Sequence, residues 1–239
     1  AKEVSTPEMV GIKIIMNKGE GLIYGLSPLF DSAGAPLVSE DGSKADGYIN
    51  SEKSVETAVK LQKFFDDKLA NIDPTPTEFQ DQKAAGNINQ VVQFDDFPDL
   101  HWGATYLPKT GDHVVSNCGS WTLGISKDCK DPDAAYVALE FMTNSESTRL
   151  YGEVGGYPPA RKSAYENNTQ WDEYPYSLAK EQLFEAAVPR PKTPVYTVLT
   201  SKFAEAMLDI FTGSDAKESL DAVASYVDDE YARVQDSMK

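Results

Sequence analysis

The stretch that decides the fold runs from Gly119 to Tyr165 and reads GSWTLGISKDCKDPDAAYVALEFMTNSESTRLYGEVGGYPPARKSAY. Its first eight residues, 119–126, alternate weakly between apolar and small or polar side chains. This alternation predicts a half-buried strand with Trp121, Leu123 and Ile125 on one face. Asp131 then has the character of a helix N-cap, and Pro132 stands at the first helical position, where its missing N–H is not needed.

Two helices are predicted after this cap. The apolar residues of 135–142 are numerous enough for a helix that packs on a sheet. A second, shorter helix is predicted from Ser145 to Tyr151, and Gly155-Gly156 is expected to end it before Pro158-Pro159. The stretch is thus predicted to fold as strand, helix, helix and a rigid proline exit.

The same stretch resembles the extracellular solute-binding proteins of ABC importers, specifically the large family that captures sugars and oligosaccharides. The strongest part is 156–165, GYPPARKSAY, which is similar to that family's G-x-x-P-A-R-K-S signature. The other matching segments are Gly119-Ser120-Trp121, 130–135 and 139–146. The resemblance extends from about Gly11 to the C-terminus.

Composition limits the function classes. The formal net charge of −16 over 239 residues disfavours a nucleic-acid-binding protein, because phosphate recognition needs clustered Lys and Arg. Such an acidic surface mainly favours solubility. No apolar run is long enough to cross a bilayer, and no signal peptide is recognisable. The sequence begins at Ala1 without Met, which indicates a processed or excised product.

Outside this stretch the chain predicts one further strand and several helices. The strand is Val10 to Asn17, and Ser51 is expected to cap a helix that reaches about Leu69. Ser214 is expected to cap the last helix. The other predicted helices are 22–32, 177–187 and 196–211.

The resemblance implies an α/β fold of the periplasmic-binding-protein-like type II class. The chain is similar to the C-terminal lobe of such a protein plus part of the segment that crosses between the lobes. Residues 1–117 and 157–239 would form that lobe, and 118–156 would belong to a first lobe that is mostly absent. The apolar face of the 118–156 segment, including Val137, Phe141 and Met142, is then predicted to pack against a neighbouring molecule or to be poorly ordered.

A sugar presents apolar ring faces and rims of hydroxyl groups, which call for aromatic platforms and for Asp, Glu, Asn, Gln or Arg partners. By resemblance, Trp121 and Tyr196 are the strongest candidate binding residues. Core packing is the alternative for each aromatic residue, and Trp102 and Trp171 are interpreted as structural or surface residues. The remaining candidates are Tyr157, Glu20, Tyr24, Asn89 and Gln90, with Asn17 close to Glu20.

The resemblance implies a protein that binds a sugar or oligosaccharide and delivers it to a membrane permease. Its location would be extracellular, either periplasmic or membrane-associated as a lipoprotein. The alternatives are a binding protein for a non-sugar solute, a carbohydrate-active enzyme and an acidic scaffold domain. Catalysis is disfavoured because no G-x-S-x-G, G-x-G-x-x-G or P-loop motif is present.

Metal and disulfide chemistry are also disfavoured. His101 and His113 have no partner at ligand spacing, and no cofactor motif is recognisable. If the residues between Cys118 and Cys129 were extended at ~3.3 Å each, the two thiols would lie roughly 30 Å apart, too far for a disulfide bond. Self-association through the surface left open by the missing lobe is a further expectation.

Overall fold

The structure is a computed structural model that describes residues 1–88, 99–166 and 168–238. Helices dominate it. They are α1 (Glu20–Ser32), α2 (Glu52–Asp66), α3 (Pro132–Thr143), α4 (Ser145–Gly155), α5 (Tyr176–Glu185), α6 (Tyr196–Phe211) and α7 (Ala216–Ser237). Two short strands, β1 (Ser116–Cys118) and β2 (Ala187–Pro189), and three single-turn 3₁₀ helices, Lys2–Val4, Lys162–Tyr165 and Thr169–Asp172, complete the regular structure of the described residues.

The chain divides into two compact units. The first unit comprises 1–88, 107–117 and 188–239, and the second comprises 89–106 and 118–187. The chain passes from the first unit to the second after residue 88 and again within β1, and it returns to the first unit after residue 106 and again within β2. Residues 157–187 group with the second unit, although the sequence-based division assigned them to the same lobe as the C-terminal helices. Which unit corresponds to which lobe of a whole binding protein stays a prediction.

The strand predictions were largely wrong. The strand predicted over 119–126 is irregular chain, and the strand lies just before it at Ser116–Cys118, paired with β2. Trp121 is 86% exposed, so the alternating apolar residues do not mark a buried sheet face. Among the described residues, the backbone between Val10 and Asn17 forms isolated parallel bridges, from Val10 to Ala84 and from Lys13 to Asn87, and no named strand.

The core of the first unit is built by α1, α2, α6 and α7. Phe203 of α6 is fully buried and meets Phe30 of α1 edge to face, with ring centroids 5.2 Å apart. Phe65 of α2 stacks on Phe211 of α6 at 4.4 Å. Offset and edge-to-face aromatic pairs of this kind stabilise a core beyond the area that they bury. The first unit therefore provides a rigid base for the side chains at its surface.

Most of the predicted helix signals are confirmed. Ser51 caps α2 by accepting a hydrogen bond from the Ser54 amide at 3.3 Å. Asp131 caps α3 by accepting from the Ala134 amide at 3.0 Å. Gly156 ends α4 in the left-handed conformation with φ 68°. The last helix is an exception, because Asp215 and not Ser214 accepts the capping hydrogen bond, from the Glu218 amide.

The second unit contains an aromatic cluster and an open apolar face. Trp171 is fully buried and makes edge-to-face contacts with Tyr165 and Tyr176, which confirms its structural role. The prediction that α3 packs on a sheet was wrong, because α3 has no buried residue. Val137, Phe141 and Met142 are 65%, 70% and 57% exposed. These three side chains, with Leu150 and Val154 of α4, are called the open apolar face below.

No helix in the part of the chain that the structure describes is long and apolar enough to cross a bilayer.

Asp31 provides a prediction about pH. It lies in the last turn of α1, where a negative charge also opposes the helix dipole. Burial raises the pKa of its carboxyl from 3.8 to about 6. The folded protein resists ionisation of Asp31 more than the unfolded chain does, so this group's contribution to stability is intact below pH 3.8 and is lost as the pH rises through 6. Asp31→Asn should therefore raise the free energy of unfolding by about 1–2 kcal/mol at pH 7.5, because partial exposure reduces the full effect of the shift.

The measurement is urea denaturation of the wild type and Asp31→Asn at pH 4 and pH 7.5. Asp66→Asn is the matched control, because Asp66 ends α2 but is exposed. A gain for Asp31→Asn that is as large at pH 4 as at pH 7.5 would contradict the role of ionisation.

Candidate functional site

The site is centred on Glu20, the first residue of α1. Its carboxylate accepts hydrogen bonds from the Tyr196 hydroxyl, at 2.9 Å to Oε1 and 3.0 Å to Oε2, and from the Thr200 hydroxyl at 2.9 Å. The Arg190 Nε donates to Oε1 and forms an ion pair with it. A carboxylate in the first turn also interacts favourably with the positive end of the helix dipole. One acidic side chain therefore gathers three hydrogen-bond donors.

Three separate segments bring these donors to Glu20. Tyr196 is the first residue of α6, and Thr200 lies one turn later on the same face. Arg190 directly follows β2, between Pro189 and Pro191, whose rings restrict the backbone. The site therefore lies within the first unit, where α1, α6 and the chain after β2 meet.

Tyr24 extends the site by one turn of α1. The Arg190 guanidinium lies over the Tyr24 ring, 4.7 Å from its centroid, as a cation–π contact. The Tyr24 hydroxyl donates to the carbonyl oxygen of Asn117 in β1 at 3.3 Å. In return, the Asn117 amide donates to the Tyr24 carbonyl at 2.7 Å and to the Ser27 hydroxyl at 2.8 Å. These bonds fasten the Tyr24 ring beneath the guanidinium.

The site is partly open to solvent, and Tyr196 and Arg190 each keep one protonation state at neutral pH. The Arg190 and Glu20 side chains are 36% and 40% exposed. Burial raises the pKa of Tyr196 to about 12, and the hydrogen bond and charge of Glu20 add to the rise. Burial alone would lower the pKa of Arg190, but the hydrogen bond and charge of Glu20 raise it above its ordinary value. Tyr196 therefore remains a donor and Arg190 a cation.

The structure brings together three of the predicted binding residues: Glu20, Tyr24 and Tyr196. Asn17 is exposed, but its side-chain oxygen accepts from the Leu22 amide at 2.9 Å, so it holds the start of α1. Asn89 and Gln90 lie outside the described residues.

Two other predicted residues, Trp121 and Tyr157, belong to the second unit. Trp121 exposes 86% of its surface, so it is not a core residue. Tyr157 is 37% exposed and stacks on Tyr151, with ring centroids 5.3 Å apart. No described ring contact joins Trp121 to Tyr157.

Arg190 and Thr200 were missed as site residues. A signal for Arg190 was present, because it stands in the extended run Val188-Pro189-Arg190-Pro191, where two prolines fix the backbone around a single cation. Thr200 follows Tyr196 at helical spacing, but a threonine in an apolar helix carries no distinctive signal.

The side chains of the site are suited to binding a ligand through hydrogen bonds. Among residues 1–88, 99–166 and 168–238, no group of three or more His, Cys, Asp or Glu side chains is arranged to hold a metal ion. Cys118 and Cys129 are free thiols. The site thus offers an aromatic ring and hydrogen-bonding groups at a partly exposed surface.

Comparison with known proteins bears on what such a surface binds. Residues 5–149 match the family described as "Bacterial extracellular solute-binding protein". The galactooligosaccharide-binding protein of Bacillus subtilis (strain 168) is 25% identical over 202 residues, which cover 78% of this chain and 48% of that protein.

Solved structures share the fold. A solute-binding protein of an ABC transporter from Thermotoga lettingae, bound with α-D-tagatose, has a TM-score of 0.81 at 18% identity and covers 94% of this chain. The cyclic α-maltosyl-1,6-maltose binding protein of Arthrobacter globiformis has a TM-score of 0.77 at 18% identity and also covers 94%. The present chain covers 60% of each of these two proteins. The periplasmic-binding-protein-like fold is therefore confirmed for the part that is present.

The chain thus spans about half the length of the curated relative and about 60% of the solved structures. All three of these proteins are described as binding proteins and not as enzymes. Because the family match extends over more than half of its residues, the chain belongs to the bacterial extracellular solute-binding proteins.

Proposed function

We propose that this protein is the substrate-binding component of an ABC transporter, which captures a carbohydrate outside the membrane and delivers it to a permease. The observation that carries the proposal is the set of hydrogen-bonding groups around Glu20, with Tyr196, Thr200 and Arg190. An extracellular family works in the periplasm or outside the cell, which agrees with this role. Two relatives are named for galactooligosaccharides and cyclic maltosyl-maltose, and a third was solved with bound tagatose, which supports a sugar or oligosaccharide as the ligand class.

The site has the chemistry that a sugar requires. Sugar rims need oriented donors and acceptors, and sugar ring faces need an aromatic surface. The first unit supplies the polar groups, together with the rings of Tyr196 and Tyr24. We include Trp121 as an aromatic platform because its large apolar surface is 86% exposed. Tyr157, Asn89 and Gln90 are retained as proposed ligand contacts on the resemblance alone.

We further propose that 118–156 belongs to a lobe of which this chain carries only a part. The 60% coverage of the solved structures supports this assignment. A ligand held by one lobe of a two-lobed clamp loses the contacts of the other, so the affinity of this chain should be much weaker than that of a complete binding protein. The proposed role is binding without catalytic turnover.

The test measures the affinity of this chain for sugars. Saturation-transfer NMR is the method, because it detects binding at millimolar affinities. The panel contains galactose, maltotriose and 4-β-galactobiose. Trp121→Ala and Tyr196→Ala should each weaken binding about 10-fold, because an aromatic contact contributes on the order of 1 kcal/mol.

Tyr226→Ala is the control for this experiment, since Tyr226 lies on α7, is 47% exposed and contacts Lys202. Its affinity should equal that of the wild type. If no sugar on the panel saturates the wild-type chain, or if all three variants bind alike, carbohydrate capture by this site is not supported.

The open apolar face leads to a prediction about self-association. Five large apolar side chains exposed on α3 and α4 form a surface of the kind that usually contacts another protein surface. We expect the isolated chain to self-associate through this face at micromolar concentrations. Sedimentation velocity of the wild type and of Val137→Glu with Phe141→Glu should show association that is lost in the double variant. A wild-type chain that stays monomeric even at about 100 times these micromolar concentrations would contradict this prediction.

A further inference from the structure

We propose that Arg190 is the residue that contacts the sugar directly and that Glu20 is a positioning residue, which holds Arg190 in place. This inference rests on the proposed function and deepens it, because it assigns different roles to two members of the same site. It also specifies the ligand as a neutral sugar whose adjacent hydroxyl oxygens accept hydrogen bonds from the guanidinium.

The carboxylate of Glu20 is already occupied by groups of the protein. An ionised carboxylate has about four positions that accept hydrogen bonds. Arg190 donates to Oε1, Thr200 donates to Oε2, and the single Tyr196 hydroxyl proton is shared between the two oxygens, so three protein donors occupy three of these positions. Thr200 is only 8% exposed and Tyr196 holds its proton at neutral pH, so neither donor is readily released. A sugar hydroxyl that approached Glu20 would have to compete with these three donors for the one accepting position that they leave.

Arg190, in contrast to Glu20, has hydrogen-bonding groups that no described residue uses. Its Nε is used by Glu20, whereas no described residue accepts a hydrogen bond from its Nη1 or Nη2 groups. These two groups carry four N–H donors in a fixed plane. The side chain is 36% exposed, and we infer that a ligand reaches these unused donors from solvent.

The guanidinium is also held in a fixed orientation before a ligand arrives. One edge is bonded to Glu20, one face lies on the Tyr24 ring at 4.7 Å, and the backbone is restrained by Pro189 and Pro191. A donor that is oriented in advance loses little side-chain entropy on binding. Tyr24 is therefore assigned to supporting Arg190 through the ring face that the guanidinium covers.

Charge favours a neutral ligand over an anionic one. The charges of Glu20 and Arg190 cancel at a contact that is already formed. The protein as a whole carries a net charge of −16, which repels anions from its surface. The free edge of Arg190 is thus suited to the vicinal hydroxyl oxygens of an uncharged sugar.

The experiment measures the affinity of the full chain for maltotriose, 4-β-galactobiose and digalacturonic acid by saturation-transfer NMR. Arg190→Gln should weaken binding of the neutral sugars about 10- to 100-fold, and Arg190→Lys about 10-fold, because lysine keeps the charge but lacks the planar pair of donors. Arg233→Gln is the matched control, since its side chain is 72% exposed and pairs with Glu230. Its affinity should be unchanged.

A double-variant cycle separates positioning from direct contact. In Glu20→Gln the amide oxygen can still accept from Tyr196, but the charge that orients Arg190 is lost. Glu20→Gln alone should weaken binding about 10-fold, yet it should add little in the Arg190→Gln background, because Glu20 acts through Arg190. Thermal unfolding of each variant checks that the fold is retained.

Four results would overturn the inference. Fully additive effects would show that Glu20 contacts the sugar itself, and an unchanged affinity in Arg190→Gln would remove Arg190 from the site. Preferential binding of digalacturonic acid would overturn the neutral ligand class. A wild-type chain that binds none of the three probes would overturn the proposed function as well, whereas wild-type binding that is indifferent to Arg190 would overturn this inference alone.

Discussion

Replacing Phe203 by alanine should lower the free energy of unfolding of the first unit by about 3–5 kcal/mol. Phe203 is fully buried in α6 and its ring meets that of Phe30 at 5.2 Å. Alanine would remove the buried apolar surface, abolish the aromatic pair and leave a cavity between α6 and α1. Urea denaturation followed by far-ultraviolet circular dichroism measures the change, because the helices of this core dominate that signal.

Phe141→Ala is the control for this prediction because it makes the same chemical change at a side chain that is 70% exposed. Its effect should be within about 0.5 kcal/mol of zero, as expected for a surface substitution. If Phe203→Ala and Phe141→Ala lowered the free energy of unfolding by similar amounts, the burial of Phe203 would not determine stability.

Replacing Trp171 by alanine should destabilise the second unit by about 3–5 kcal/mol. Trp171 is fully buried, with Tyr165 at 5.7 Å and Tyr176 at 5.4 Å between ring centroids. Its indole N–H has no hydrogen-bond partner among the described residues, so the expected loss comes from packing. Hydrogen exchange of α5 measures the effect within this unit, because amides there should exchange faster when the aromatic cluster is removed.

Trp121→Ala is the matched control for Trp171→Ala. Trp121 is 86% exposed, so its replacement should leave the exchange rates of α5 unchanged. If Trp171→Ala also left those rates unchanged, the aromatic cluster would not be the core of the second unit.

The helices were predictable from sequence because their signals are local. The bounds of α6, Tyr196–Phe211, follow from apolar spacing and the glycine at 213, and the caps at Ser51 and Asp131 depend on residues within one turn. The error at α7 was small for the same reason, since Ser214 and Asp215 are adjacent and both residue types cap helices.

The strands could not be predicted in the same way, because a strand forms only where another segment pairs with it. Residues 119–126 alternate as a strand does, yet the pairing with β2 is made by Ser116–Cys118. The apolar pattern of α3 predicts a helix packed on a sheet, but the pattern does not reveal whether a covering surface is present. The exposure of Val137, Phe141 and Met142 agrees with the separate expectation that their partner surface is missing from this chain.

The site was only partly predictable for a related reason. Glu20, Tyr24 and Tyr196 were named through the resemblance, but the contacts that define their roles link residues far apart in sequence. Arg190 and Thr200 lie 170 and 180 positions from Glu20. Nothing in the local sequence shows that three donors of the protein already bind Glu20, whereas the Nη groups of Arg190 have no acceptor among the described residues.

The pairing of β1 with β2 has a mechanical consequence. The chain passes between the units at four points, and β1 and β2 lie at two of them. Both strands are joined to the proposed binding residues: Asn117 of β1 is bonded to Tyr24, and β2 continues directly into Arg190. Bending either strand must therefore pull on the guanidinium or on the ring beneath it. Conversely, restraint of Arg190 acts directly on the end of β2, and restraint of the Tyr24 ring acts directly on β1.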